Sequence, residues 1–157
     1  MNIARQSKSS SSPSSQKRPF FSGRNKASLH SYWMSMLFAS WLATYLELIL
    51  TGTQLYTFQA RPLTNIFSID IRFTLIGIPV MTLFCVTALS WMNLLQRTLF
   101  LILIGLAMML FEKISGRLGW IGYSDQWQHM YSFLGYPAFI LVVFFFFTWC
   151  ESARGNI

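Results

Sequence analysis

The chain has 157 residues, of which 54% are apolar and only 11% charged. A water-soluble domain carries roughly 25% charged residues, so this composition cannot coat a surface that faces water, and the length suits one compact unit rather than two ordinary domains. The net charge of +7 does not describe a nucleic-acid binder, because half of the twelve Lys and Arg precede residue 27 and the rest are scattered singly; attraction to anionic lipid headgroups is the more economical account.

Residues 1–30 form a polar tail, basic, free of acidic residues and holding nine serines, with Ser9 to Ser12 followed by Pro13, Ser14 and Ser15. Such low-complexity sequence cannot bury a core and reads as a disordered cytoplasmic tail. Its Arg/Ser-rich, acid-free composition also fits an organellar transit peptide. A cleaved secretory signal does not fit, since the basic region is long and no small-x-small site follows the first apolar stretch.

Four apolar segments follow, at about 32–52, 72–92, 94–114 and 130–150. The first is broken by Glu47, and the second contains Pro79. In the third, the strictly apolar run from Thr98 to Phe111 falls short of the roughly 17–25 residues that a spanning helix needs. Extension back to Leu94 lengthens it enough if Arg97 snorkels to the headgroups; otherwise it is a re-entrant or interfacial helix. The fourth carries the run Phe144 to Phe147, which in water is an aggregation hazard and in hydrocarbon is lipid-facing surface. Residues 151–157 read as a short cytoplasmic tail.

The expected fold is therefore all-α: a polytopic membrane protein of four transmembrane helices with both ends on the cytoplasmic side. That orientation places six basic tail residues, Arg97 and Arg154 inside, and Arg61, Arg72, Lys113 and Arg117 outside, following the positive-inside rule. Tyr32, Trp33, Trp91, Trp120, Tyr123, Trp127, Tyr131 and Trp149 cluster at segment ends, as interfacial aromatics do. Cys85 and Cys150 should lie at different depths, which disfavours a disulfide, and neither belongs to a zinc or iron–sulfur pattern.

Of the five acidic residues, four converge on the outer side under this topology: Glu47, Asp70, Glu112 and Asp125, with His129 beside them. Glu47 lies about 21 Å from the inner face of a core about 30 Å thick. Helical spacing suggests three inward stripes: Ser40, Thr44, Glu47 and Thr51; Asp70, Thr74, Gly77, Met81, Cys85 and Ala88; and Thr98, Ile102, Gly105, Met109, Glu112 and Gly116. Glu47, Asp70, Arg72, Glu112, Asp125 and His129 are thus candidates to line an outer-facing polar cavity. Gly77, Pro79, Gly135 and Pro137 are candidates to distort helices and free backbone carbonyls near it.

A glutamate at the bilayer centre costs about 2.5–3.5 kcal/mol on insertion scales, which asks for a reason. One reading is an ion, proton or small-molecule site. The other pairs Glu47 with Arg72 and Glu112 with Lys113 or Arg117 to set helix register, leaving Asp70 and Asp125 as solvated loop acids and His129 as an interfacial histidine.

The two halves echo each other. Glu47 is followed by Gly52, Tyr56 and Phe58, and Glu112 by Gly116, Trp120 and Tyr123; the next helices carry Gly77-Ile78-Pro79 and Gly135-Tyr136-Pro137. Both halves start on the same side, so this describes two parallel two-helix repeats. No phosphate loop, nucleophile elbow, zincin motif or acid pair at general acid/base spacing occurs, so the chain leans away from an enzyme, and no cofactor or metal is called for.

Glu47, Asp70 at the start of the second helix, Phe111-Glu112, Gly119-Trp120 and Trp127-x-His129 together resemble a family of uncharacterised four-helix membrane proteins from spore-forming Gram-positive bacteria. The resemblance covers residues 35–147 and implies a bacterial cell membrane, with no activity attached. A fainter similarity is to the small-subunit lycopene cyclases, whose Gly-x-Pro is followed by paired glutamates; here Val80-Met81-Thr82 and Ala138-Phe139-Ile140 stand in those places. Small multidrug exporters also have four helices and a first-helix glutamate, but are shorter and lack the third-helix acid. Three functions are expected in turn: a non-enzymatic membrane protein binding a small ligand, lipid headgroup or partner helix; a small proton-coupled transporter using Glu47; or a membrane-embedded lipid isomerase or cyclase. The partners implied are the lipid bilayer and, because four helices enclose little room, a second copy or another membrane protein; nucleic acid is not among them.

Overall fold

In a computed structural model, residues 28–59 and 65–154 are described. The basic tail before residue 28, Arg61 and the last three residues lie outside them. Helix α1 spans Leu29–Gly52, β1 Tyr56–Phe58, α3 Leu94–Arg117, β2 Ile121–Tyr123 and α4 Met130–Arg154. Between β1 and α3, α2 begins with a π-helical turn, Phe73–Gly77, and continues as an α-helix over Ile78–Trp91. The protein is helical, and all four helices are long and apolar enough to cross a membrane.

The third segment is a full helix of 24 residues, longer than its apolar run suggests, because Arg97 does not need to reach headgroups. Its Nε donates to the Leu89 carbonyl at 2.8 Å and its guanidinium lies 5.1 Å from the centre of the Phe144 ring, so the protein itself holds the charge. The start of α3 is held by Gln96, whose side-chain oxygen accepts from the Asn93 amide at 2.9 Å.

Helices α1, α2 and α4 pack on one another, whereas α3 packs chiefly on α4. The core follows suit: Ala39, Ala43, Ile78, Cys85, Val86, Leu89, Ile140, Val143, Phe144 and Phe147 come from the first three, with none from α3. Two of the four consecutive phenylalanines, Phe144 and Phe147, are thus core rather than lipid-facing; Phe145 is exposed. A helix turns once per 3.6 residues, so a run of four covers every side and one pair must point inward.

Contact between α3 and α4 depends on Gly105. A β-carbon there would lie 2.6 Å from the Phe133 carbonyl oxygen and 3.2 Å from Cγ of Pro137. Pro137 lacks the N–H that would bond that carbonyl, and the freed oxygen lies against the Gly105 backbone. The carbonyl expected to line a cavity is therefore spent between helices.

Pro79 acts differently. The chain before it widens into the π turn, with the Ile78 amide bonded five residues back to Phe73 O. The extra residue rotates the buried face of α2 from the expected Gly77 and Met81 to Ile78 and Thr82. On α1 the buried stripe runs through Ser31, Ser35, Ala39, Ala43, Glu47 and Thr51, one residue round from the expected Ser40 and Thr44.

Helices α1 and α3 end in the same way. The Leu55 amide bonds Leu50 O and the Gln54 amide bonds Thr51 O, while the Trp120 amide bonds Ser115 O and the Gly119 amide bonds Gly116 O. Each is a six-residue Schellman closure whose turning residue is left-handed: Gln54 at φ 57° and Gly119 at φ 71°. Each closure delivers the chain into a short strand, and the two strands pair antiparallel with Tyr56 opposite Tyr123, Thr57 opposite Gly122 and Phe58 opposite Ile121. This ribbon, absent from an all-helical expectation, joins the α1 and α3 ends of the bundle. At the opposite end the Ser28 amide donates to Glu151 at 3.0 Å, tying the start of α1 to the last turn of α4. Hence α1 and α3 run toward the ribbon, and α2 and α4 away from it.

Candidate functional site

Because α3 leans on α4 and not on α1, the two glutamate-bearing helices leave a gap beneath the ribbon. It is a cavity of about 670 Å³ whose walls include Ala43, Leu46, Glu47 and Leu50 of α1, Phe111, Glu112 and Ser115 of α3, and Ser132, Gly135, Tyr136 and Phe139 of α4. The ribbon and the loop after it add Tyr56, Phe58, Tyr123 and Trp127, and the segment leading into α2 adds Asp70, Arg72 and Phe73. The walls are mainly apolar and aromatic, with carboxyl groups set into them. Leu46, Phe111, Trp120 and Tyr131 border the cavity while remaining about half exposed.

The aromatic wall has a fixed arrangement. Trp127 meets Tyr56 edge-on at 5.4 Å and Tyr123 in a near-parallel stack at 5.8 Å, and Tyr131 abuts its other side at 5.8 Å. Strand pairing sets this geometry, since it brings Tyr56 and Tyr123 opposite each other. Burial, and then the nearby charges of Glu47, Tyr136, Glu112 and Tyr123, raise the Tyr56 phenol far above its ordinary pKa; burial and then Glu112 do the same for Tyr123. Both therefore remain protonated hydroxyls at any physiological pH.

The two glutamates stand at corresponding places, each the same number of residues before the left-handed residue of its helix end. Their surroundings differ. Glu112 is 6% exposed and fully engaged: Ser132 Oγ donates to its Oε1, Trp127 Nε1 donates to Oε2 at 3.4 Å, and His129 Nδ1 lies 3.4 Å from the same oxygen. Glu47 is 7% exposed, yet its Oε2 is buried without a hydrogen-bond partner. Its backbone carbonyl accepts from Thr51 Oγ1 at 2.7 Å. Ser115 Oγ and the Tyr123 hydroxyl, both on cavity-lining residues, are likewise buried without partners.

Of the residues singled out from sequence, Glu47, Asp70, Arg72, Glu112 and Gly135 line this one cavity. His129 reaches its edge through Glu112. Asp125 is exposed in the loop before α4 and does not line it, nor do Gly77, Pro79 and Pro137. The pairings expected for helix register do not form: Arg72 bridges Asp70 at 3.3 Å instead of Glu47, and Glu112 turns to α4 instead of Lys113 or Arg117. Lys113 and Arg117 are exposed, and a buried carboxyl is better served by donors that are buried with it. Ser132 and Tyr136 were missed by the sequence reading. They share one face of α4 with Phe139 at steps of four and three, in the helix already marked by Gly135 and Pro137, and that spacing was the available signal.

No protein-family model matches the chain, and no curated protein or solved structure matches it either.

Proposed function

We propose that this is a multi-pass membrane protein whose cavity binds the head end of a single-chain amphiphile entering sideways from the lipid. The observation that carries this reading is the coincidence, around one apolar cavity of about 670 Å³, of three lining residues that each hold a buried polar side-chain atom without a protein partner: Glu47 Oε2, Ser115 Oγ and Tyr123 Oη. Buried polar groups are almost always satisfied, and each one left unmet costs about 1–3 kcal/mol. A ligand with a polar head and an apolar body meets both halves of that description. The half-exposed rim of Leu46, Phe111, Trp120 and Tyr131 suits a tail lying in the bilayer.

The joining of the α1 and α3 ends through the ribbon, with the described ends of the chain, Ser28 and Arg154, opposite it, supports two termini on one side; with the charge bias, that side is cytoplasmic and the cavity lies on the outer side of the membrane. The matching Schellman closures support two parallel two-helix repeats.

Gly135 supplies the test, since a β-carbon there meets nothing within 4 Å. Gly135→Leu adds a bulky apolar side chain at this open position of the cavity wall. Twelve-carbon probes brominated at the tail and carrying alcohol, carboxylate or amine heads quench tryptophan emission, and Trp120 and Trp127 border the cavity. In zwitterionic nanodiscs at least one probe should quench saturably above the partitioning background, and Gly135→Leu should remove that component. Quenching that never saturates, or that Gly135→Leu leaves intact, refutes the binding reading.

A second reading, a proton-coupled carrier, is favoured by the unpartnered Glu47 carboxyl alone. It requires that Glu47→Gln abolish a pH-dependent flux across proteoliposomes while the protein still assembles; unchanged flux rejects it.

A further inference from the structure

The two halves of the protein allow Glu47 to be compared with a carboxyl in a corresponding place that is fully satisfied. Around Glu112 the chain supplies a hydroxyl, an indole N–H and an imidazole nitrogen, all from α4 or the loop before it. If Pro79 is laid on Pro137, the residue of α2 standing where Ser132 stands is Thr74. Its hydroxyl is turned back along its own helix, 3.2 Å from Ile71 O, and does not reach Glu47. The segment before α2 offers Arg72, but that guanidinium bridges Asp70. Glu47 therefore lacks the donor set that Glu112 has, and it is a residue of the cavity wall.

In its ionised form Glu47 only accepts hydrogen bonds, so whatever satisfies that form must bring N–H or O–H donors. Two further features narrow the class. Among the cavity's charged residues three are carboxylic acids against one arginine, so an anionic head is repelled. The aromatic wall of the same cavity is built of Tyr56, Tyr123 and Trp127, whose rings meet at 5.4 and 5.8 Å and whose electron-rich faces attract cations. An ammonium group carries three donors and no acceptor, a positive charge, and a preference for aromatic faces once desolvated.

We propose, on the footing of the binding reading above, that the cavity selects a single-chain alkyl amine, its ammonium head bonded to Glu47 within the cavity whose aromatic wall holds Tyr56, Tyr123 and Trp127. Glu112, already satisfied by its own chain, does not bind the head.

The test uses the full chain in zwitterionic nanodiscs and three tail-brominated dodecyl probes with amine, trimethylammonium and alcohol heads, read as the saturable part of tryptophan quenching. The amine should bind about tenfold or more tighter than the alcohol, the range given by one charge-assisted hydrogen bond. The trimethylammonium probe keeps the charge and loses the donors, and should bind more weakly than the amine. Glu47→Gln should bring the amine within about threefold of the alcohol while leaving alcohol affinity nearly unchanged; should that variant not assemble, the ranking of heads on the unaltered protein decides alone. Equal affinity for amine and alcohol overturns the selection for a cation yet leaves the cavity as a binding site. A trimethylammonium probe as tight as the amine overturns the hydrogen bond to Glu47. Loss of all saturable quenching overturns the binding reading itself.

Discussion

Replacing Gly105 with alanine tests the packing that separates α3 from α1 and so opens the cavity. The added carbon would sit 2.6 Å from Phe133 O, 3.1 Å from Cδ2 of the Phe133 ring and 3.2 Å from Pro137 Cγ. A carbon–oxygen contact wants about 3.3–3.6 Å, so the helices must part by somewhat under 1 Å. The Phe133 ring can turn, but the other two obstacles cannot swing aside: one is main chain and the other a closed ring. Overpacking costs about 1–3 kcal/mol, and these rigid neighbours argue for the upper part of that range. Alanine returns roughly 1 kcal/mol through helix propensity, which leaves a net loss of about 1–2 kcal/mol. The control is Gly135→Ala, where the new carbon meets nothing within 4 Å and propensity alone should stabilise by about 0.5–1 kcal/mol. Cys85, 1% exposed, reports unfolding through thiol labelling on heating in detergent, in a Cys150→Ser background because Cys150 is less buried. Gly105→Ala should lower the labelling midpoint and Gly135→Ala should hold or raise it. Equal midpoints for the two would show that α3 does not rest on α4 through this glycine, and the account of the cavity would fall with it.

The matching helix ends predict opposite effects of glycine on the two sides. Gln54 holds φ 57°, a region that costs an L-residue roughly 1 kcal/mol, so Gln54→Gly should raise the same midpoint, and Gly119→Ala should lower it by a similar amount. A fall on Gln54→Gly would contradict the left-handed closure of α1. The ribbon predicts proximity: Thr57 and Gly122 are paired across it, so Thr57→Cys with Gly122→Cys, in a chain lacking Cys85 and Cys150, should form a disulfide on mild oxidation, seen as a shift in gel mobility. Moving the second cysteine three residues back, to Thr57→Cys with Gly119→Cys, should give none; efficient cross-linking there rejects the ribbon.

The positions of the four helices were legible because hydropathy alone separates about twenty apolar residues from their surroundings. Their faces were less legible. A stripe read as Gly77 and Met81 became Ile78 and Thr82 because the π turn before Pro79 inserts one residue, and periodicity read at a constant 3.6 cannot see that insertion. Partners were the least legible. Opposite charge nearby in sequence suggested Glu112 with Lys113 or Arg117, whereas the satisfied arrangement uses Ser132, Trp127 and His129 from another helix. The pairing depends on which side of α3 faces α4, and Gly105 settles that through a contact whose other half, Pro137, lies over thirty residues away. The internal echo was visible in Glu47 and Glu112 but was aligned on Gly52 and Gly116. The structural correspondence runs instead through Gln54 and Gly119, where one half uses an ordinary residue for the turn that the other gives to glycine.

That substitution bears on why one glutamate is satisfied and the other is not. Two helix pairs built alike and joined by a ribbon would offer each carboxyl the same company. The connection between β1 and α2 is longer than that between β2 and α4, and α2 alone contains a π turn. Both differences fall on the side that would have to supply donors to Glu47: the longer segment lets Arg72 close on Asp70, and the turned helix sends Thr74 back to its own backbone. Meanwhile α4 delivers Ser132 straight to Glu112 and braces α3 through Pro137. The half that is tightly closed thus provides a rigid wall, and the half that is loosened leaves a buried acceptor on a residue of the cavity wall. On the proposed reading, a ligand bearing donors is what would meet that acceptor.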